Sequence, residues 1–332
     1  MRDVPGANYW SRRPVTRMDL AVGAYDEISS ADVAGFRESL ERAMPGLIEH
    51  HCSIGERGGF LVRLERGTYA PHIVEHVAIE LQNMIGHEIN FGKTRGGNAA
   101  GEYTIIFDHL NAAVGLRAAI LALDIVQRAF AGTLGDVSSA VSELRAIAAL
   151  PVPEPEQRSV AVAITGGTAR AETRDELVRL GVASESVVDI SPAQILAQGL
   201  PIARCDVAII LDAKITDVPH RYRDNGEAAN LVGVLCDAAE AGGIVVAPRG
   251  EDVISSRAIS QRCRLAIFSL DERAAMPSRN VIASASITSG RIDILRAAGL
   301  PLDSRFLRAG APAVSQIAAA LAAAVLNDAR GQ

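Results

Sequence analysis

Two textures of hydrophobic pattern divide the chain. Before residue 151, apolar positions recur mostly at helical spacing. Phe36, Leu40 and Met44 share one face of a helix predicted over 35–44. Ile73, Val77, Leu81, Met84 and Ile85 share one face of a second helix, which should start at Pro71 and stop near Gly86. Residues 18–22 and 103–107 read as strands, and 112–130 and 136–150 as two apolar helices. This first region is therefore expected to be an α+β domain.

From residue 159 the texture alternates. Short β-branched runs at 159–164, 205–211, 243–246 and 265–270 are separated by helical stretches at 174–180, 227–241 and from about 252. Two more strands at 280–283 and 291–295 precede an alanine-rich helix at 314–326. Strand and helix in alternation imply an α/β domain built on a parallel sheet. Between the two regions lies Pro151-Val-Pro-Glu-Pro155-Glu-Gln, a composition that favours an extended, semi-rigid linker. The expected organisation is thus a domain at 1–150, a linker at 151–158 and a domain at 159–332.

Length supports that division, since 332 residues exceed one ordinary core. A hydrophobic share of 48%, a charged share of 22% and a formal charge of -6 describe a globular chain without the basic face of a nucleic-acid binder. The polar, aromatic N-terminus lacks a signal-peptide core and no apolar run reaches membrane-spanning length, so a cytoplasmic, membrane-free protein is expected. Cys52, Cys205, Cys236 and Cys263 stand singly, which suggests neither a disulfide framework nor a thiolate zinc site. Apolar helices at 231–239 and 314–326 offer faces for a homo-oligomer.

Candidate chemistry concentrates in the first region. Six of the seven histidines fall in the first 110 residues. His72-Ile-Val-Glu75-His76 has the order HxxEH, with two imidazoles one helical turn apart and a carboxylate beside them. That order is the inverse of HExxH and fits a metallopeptidase-like Zn2+ site, with Glu75 as the general base. Zinc needs a third protein ligand. His51, from the cluster Glu49-His50-His51-Cys52, and Glu80, about two turns past His72, are the alternatives. The bland reading is an amphipathic helix whose polar face is merely solvated. Lys93 and Arg95 suit carboxylates or simply form a surface turn after Gly92, Glu80 or Asp108 suits a guanidinium, and Tyr9-Trp10 forms a binding platform or, the favoured reading, a buried anchor at the domain edge.

Taken together, Gly6-Ala-Asn-Tyr-Trp-Ser11, Pro45-Gly-Leu-Ile-Glu-His-His-Cys-Ser53, Gly58-Gly-Phe60, the HxxEH helix and Phe91-Gly-Lys-Thr-Arg95 resemble the N-terminal domain of cyanophycin synthetase over about residues 3–150. Cyanophycin is polyaspartate carrying arginine on its side chains. The resemblance implies a domain that holds this polymer and, in some members, cuts it internally at a metal-dependent site. It implies His72 and His76 as ligands, Glu75 as base, and Glu49, His50 and His51 as part of the same pocket. The expected activity is a zinc-dependent hydrolase acting on cyanophycin. The other reading is a non-catalytic cyanophycin-binding or regulatory relative of the synthetase.

Residues 159–332 resemble the central domain of Mur ligases, a P-loop Rossmann-type fold, through Val160-Ala-Val-Ala-Ile-Thr-Gly-Gly-Thr168, the run 205–211 and Gly242-Gly-Ile-Val-Val-Ala-Pro248. Ala169, Arg170 and Ala171 replace the Gly-Lys-Thr end of the nucleotide loop, removing the magnesium-binding hydroxyl. The two regions also adjoin without the ATP-grasp domain that separates them in the synthetase. A scaffold with no nucleotide cofactor is the expected role.

Overall fold

The computed structural model describes residues 1–97, 99–151, 159–271, 280–297 and 299–330. The predicted linker at 151–158 lies almost wholly outside them. The chain divides into two compact units. The first holds Met1–Pro5 and Arg13–Glu154, and the second Gly6–Arg12 and Pro155–Gln332.

The first unit is α+β. Its strands β1 (Arg2–Val4) and β2 (Val15–Ala21) are followed by helices α1 (Phe36–Ala43), α2 (Gly59–Arg66) and α3 (Ala70–Asn83). Strands β3 (Gly92–Gly96) and β4 (Glu102–Asp108) and helices α4 (Ala112–Phe130) and α5 (Ser138–Ala148) complete it. The four strands form an antiparallel sheet in the order β1-β2-β4-β3, with Met18 opposite Ile105. Met18, Ile105 and Phe107 pack with Ile73, Val77 and Leu81 of α3 and with Ala118, Ala122 and Ile125 of α4 in one core. Asn111 caps α4 by accepting bonds from the amides of Ala113 and Val114 at 2.9 and 3.3 Å, which satisfies amides the helix itself leaves unpaired.

Helix α3 departs from the expected amphipathic pattern in one respect. Its polar side is covered as well, so Glu75, His76, Glu80 and Gln82 are buried along with the apolar residues. The solvated-face reading fails for this reason. Burying such groups is costly unless each finds a partner, and the partners are His50 for His76 and Glu80, Thr94 of β3 for Glu75 and the Asp108 carbonyl for Gln82.

The second unit is α/β. It comprises β5 (Ser159–Thr165), α6 (Arg170–Arg179), β6 (Val187–Asp189), α7 (Pro192–Gln198), β7 (Arg204–Ile210), α8 (Asn225–Val232), β8 (Ala239–Pro248), α9 (Asp252–Ser260), β9 (Arg264–Phe268), β10 (Val281–Thr288), β11 (Arg291–Arg296), β12 (Pro301–Phe306) and α10 (Ala313–Arg330). The eight strands run in the order β12-β11-β10-β9-β8-β7-β5-β6, parallel from β6 to β10 and antiparallel from there to β12. Alternate residues feed two cores. Val207 and Ile209 face one that includes Ile317 and Leu321 of α10, and Ala208 and Ile210 face the other.

The helix predicted at 227–241 is shorter than expected. It ends at Val232, gives way to a 3-10 stretch at Gly233–Ala238, and Ala239 already pairs with Cys205 in the sheet. Ala-Glu-Ala carries no strand signal of its own, so pairing with β7 decides its state. Residues Ala7, Tyr9 and Trp10 pack against the second unit's core, where Tyr9 makes edge-on ring contacts with Trp10 and Tyr222. Trp10 is thus an anchor by packing.

Candidate functional site

Pro71 is the second residue of α3 after the N-cap Tyr69, in the first turn where its missing N–H costs nothing, and the helix then presents His72, Glu75 and His76 within little more than one turn. Opposite them, the segment after α1 delivers Cys52. One ligand atom from each of Cys52, His72 and His76 lies within 4.8 Å of the others, and Sγ of Cys52 is 3.3 Å from Nε2 of His72. Cys52 has φ +52°, a left-handed conformation that costs a residue with a Cβ roughly 1–2 kcal/mol. Strain of this kind persists where surrounding structure imposes it and is a mark of functional positions.

Each imidazole is held from behind. Nδ1 of His72 is 2.9 Å from the Thr68 hydroxyl. Nδ1 of His76 is 2.8 Å from Nδ1 of His50, whose Nε2 is 3.0 Å from the Glu80 carboxylate. His76 also stacks on Phe60, ring centroids 4.0 Å apart. Burial, reinforced by Arg63, lowers His72 to about 4, and burial with His72 and His50 nearby lowers His76 well below its ordinary value. Both rings are therefore neutral at physiological pH, the state a metal requires.

Glu75 is buried, and its Oε2 accepts a bond of 2.5 Å from the Thr94 hydroxyl on β3. Burial pushes its carboxyl up to about 7, against the opposing effect of that hydrogen bond. Gly92 makes the approach possible, because a Cβ there would lie 2.8 Å from Cγ of Glu75 and Cδ1 of Ile79. His50, Cys52, His72, Glu75, His76 and Thr94 border a cleft of about 1010 Å³, which Glu49, Glu88 and Lys93 also line.

The residues singled out from the sequence are dispersed by role. His72, Glu75 and His76 come together. Glu80 is directed to His50 rather than to the Cys52 side, and its Oε1 lies where a Cβ on Gly46 would be, 2.0 Å away. His51 is exposed, and its carbonyl packs against Gly59 at the start of α2. Glu49 accepts two parallel bonds from Arg57, at 2.9 Å to Nε and 2.6 Å to Nη2. Lys93 borders the cleft, lowered by burial and by Arg95, while Arg95 itself is exposed on β3. Asp108 is buried at the end of β4. His109 is likewise buried and bonds Asp3 at 2.8 Å. Cys52, absent from the sequence-based ligand set, is the residue whose ligand atom lies within 4.8 Å of those of His72 and His76.

In the second unit, the loop after β5 is occupied by protein. Oδ1 of Asp212 accepts from the amides of Gly167 and Lys214, each at 2.9 Å, and Oδ2 accepts from the Thr168 hydroxyl at 2.9 Å. A Cβ on Gly167 would fall 2.0 Å from the Lys214 carbonyl oxygen. In this loop the Gly167 amide and the Thr168 hydroxyl are thus satisfied by a carboxylate of the same chain.

An antiparallel α+β unit with a histidine-lined cleft, joined to a mostly parallel α/β unit, is the class that fold and site define. Residues 17–131 match the family model of the cyanophycin synthase-like N-terminal domain. The chain is 44% identical over 112 residues to cyanophycin synthetase of Synechocystis sp., a match covering 33% of this chain and 13% of that protein. It is 43% identical over 126 residues to cyanophycin synthetase of Trichormus variabilis, covering 37% and 14%. The matched region is thus only about a seventh of these relatives' length or less. A MurF ligase from Thermotoga maritima in complex with ADP is similar in structure, with a TM-score of 0.35, 11% identity, and coverage of 52% of this chain and 46% of that one.

These comparisons overturn the expected activity. The relatives matching the HxxEH region carry the name synthetase, so the description of the protein as a zinc-dependent hydrolase or metallopeptidase, with Glu75 as its catalytic base, is withdrawn. Among the described residues no helix is long and apolar enough to cross a membrane.

Proposed function

We propose that the first unit is a cyanophycin-binding module, a regulatory relative of the synthetase N-terminal domain. The observation that carries this reading is the match of residues 17–131 to that domain, combined with a cleft that presents both signs of charge. A polymer bearing guanidinium and carboxylate on each side chain needs acids and bases interleaved. Glu49 already accepts a guanidinium from Arg57 in paired geometry, the contact a polymer arginine makes when it displaces Arg57. Lys93 at the cleft, with Arg95 on the same strand, supplies cations for carboxylates.

Cys52, His72 and His76 fit a divalent transition-metal ion in donor type and spacing, and burial lowers both imidazoles toward the neutral form that binds metal. Such an ion, when bound, supplies a Lewis-acidic point for an anionic oxygen. The chain's own residues do the rest: Thr68 orients His72, Phe60 holds the plane of His76, and Glu75 ties β3 to α3 so that Lys93 stays at the cleft.

Fluorescence polarisation with dye-labelled soluble cyanophycin fragments tests the reading. Wild type should bind, Lys93→Ala with Arg95→Ala should weaken binding at least tenfold, and added salt should weaken it further. Unchanged affinity in the double variant would remove these cations from the interface, and absence of binding by the wild type would remove the function.

A further inference from the structure

Glu80 and His50 are buried at 5% and 9% exposure, and Nε2 of His50 lies 3.0 Å from the Glu80 carboxylate. They form a line of hydrogen bonds, Glu80 to His50 to His76, that ends on Nδ1 of His76. The hydrogen-bonding rules of the groups give this line a direction. A carboxylate only accepts, so Nε2 of His50 carries a hydrogen. With His50 in its neutral form, one ring nitrogen donates and the other accepts, so its Nδ1 accepts. The hydrogen in the 2.8 Å contact between the two Nδ1 atoms then belongs to His76, and Nε2 of His76 keeps its lone pair.

We propose that Glu80 and His50 are positioning residues that fix His76 as its Nδ1–H tautomer and so present Nε2 as a ligand toward Cys52 and His72. Gly46 belongs to the device, because any side chain there would strike the Glu80 carboxylate. His72 has a simpler partner behind it, the Thr68 hydroxyl 2.9 Å from Nδ1, which can donate or accept and so holds the ring without choosing its tautomer. Imidazole ligands commonly need such support behind them, and its loss typically costs 10- to 100-fold in metal affinity. The assignment of a metal rests on the function proposed above; the tautomer does not, which allows the two to be tested apart.

Long-range proton–nitrogen correlation on metal-free protein labelled with 15N-histidine reads the tautomer directly. At neutral to mildly alkaline pH, His50 should show the Nε2–H pattern and His76 the Nδ1–H pattern, with His50→Gln used to assign the pair. Glu80→Gln, whose amide either donates or accepts, should return mixed tautomers and bind Co2+ about 10- to 100-fold more weakly by absorbance titration. A Nε2–H pattern for His76 in the wild type overturns the proposal, whatever the Co2+ affinity. The predicted tautomers without Co2+ binding would uphold the relay and instead overturn the metal. If Glu80→Gln fails to fold, the wild-type spectrum alone decides.

Discussion

Sγ of Cys52 and Nε2 of His72 lie 3.3 Å apart, brought together by a backbone at φ +52° on the cysteine side and by a helix begun at Pro71 on the other. A thiol in an unfavourable conformation beside a neutral imidazole makes two properties separable. Cys52→Gly relieves the backbone and should hold or raise stability by up to about 1 kcal/mol in urea unfolding. The same variant should lose most of its Co2+ affinity, and the near-ultraviolet sulfur-to-cobalt charge-transfer band should vanish. Retention of that band in Cys52→Gly would exclude the thiolate as a ligand.

Gly92 is needed for space, not for backbone freedom. A methyl group there meets Glu75 and Ile79 at 2.8 Å, so Gly92→Ala should push β3 off α3 and cost about 1–3 kcal/mol. Amide hydrogen exchange should rise along β3 while the strand pairing of β1 with β2 keeps its protection. Unchanged exchange at β3 would show that α3 gives way instead.

Helix α3 and its histidine pair could be read from the sequence because the HxxEH order and the apolar spacing are local properties. Cys52 could not, since its part depends on a left-handed backbone that brings its sulfur to a helix twenty residues away. Strand β3, Gly-Lys-Thr-Arg-Gly, has no apolar alternation and forms only because β4 offers an edge to pair with. Glu80 and His50 were noticed as chemistry, but their mutual contact required the fold. In the second unit the β-branched runs marked the central strands well, whereas β12 lacked such a run and was missed.

Asp212 closes the loop after β5, and its removal leaves three donors without their acceptor. Asp212→Ala should therefore lower stability by about 1–3 kcal/mol in urea unfolding. ADP should leave the wild-type melting temperature unchanged at constant ionic strength. An ADP-dependent rise in the wild type would mean that Asp212 yields the loop to nucleotide.

Glu176 is held below its ordinary carboxyl value of 4.5, first by Arg179 and, against the opposing effect of burial, also by Arg308. A folded-state value below the unfolded one binds fewer protons, so its stabilisation is complete above the unfolded value and fades as pH falls through the folded one. The stability difference between wild type and Glu176→Gln, measured by urea unfolding, should be constant near neutrality and shrink below pH 4.5. A difference that grows on acidification would reverse the sign and refute the pairing.

Sedimentation of the whole chain with insoluble cyanophycin, against polyaspartate lacking arginine as a control, most directly examines the function assigned to the cleft. The protein should pellet with cyanophycin, stay in solution with polyaspartate, and be released from the pellet by free arginine-aspartate dipeptide. Equal recovery with both polymers, or none with either, would contradict recognition of the arginine-bearing polymer.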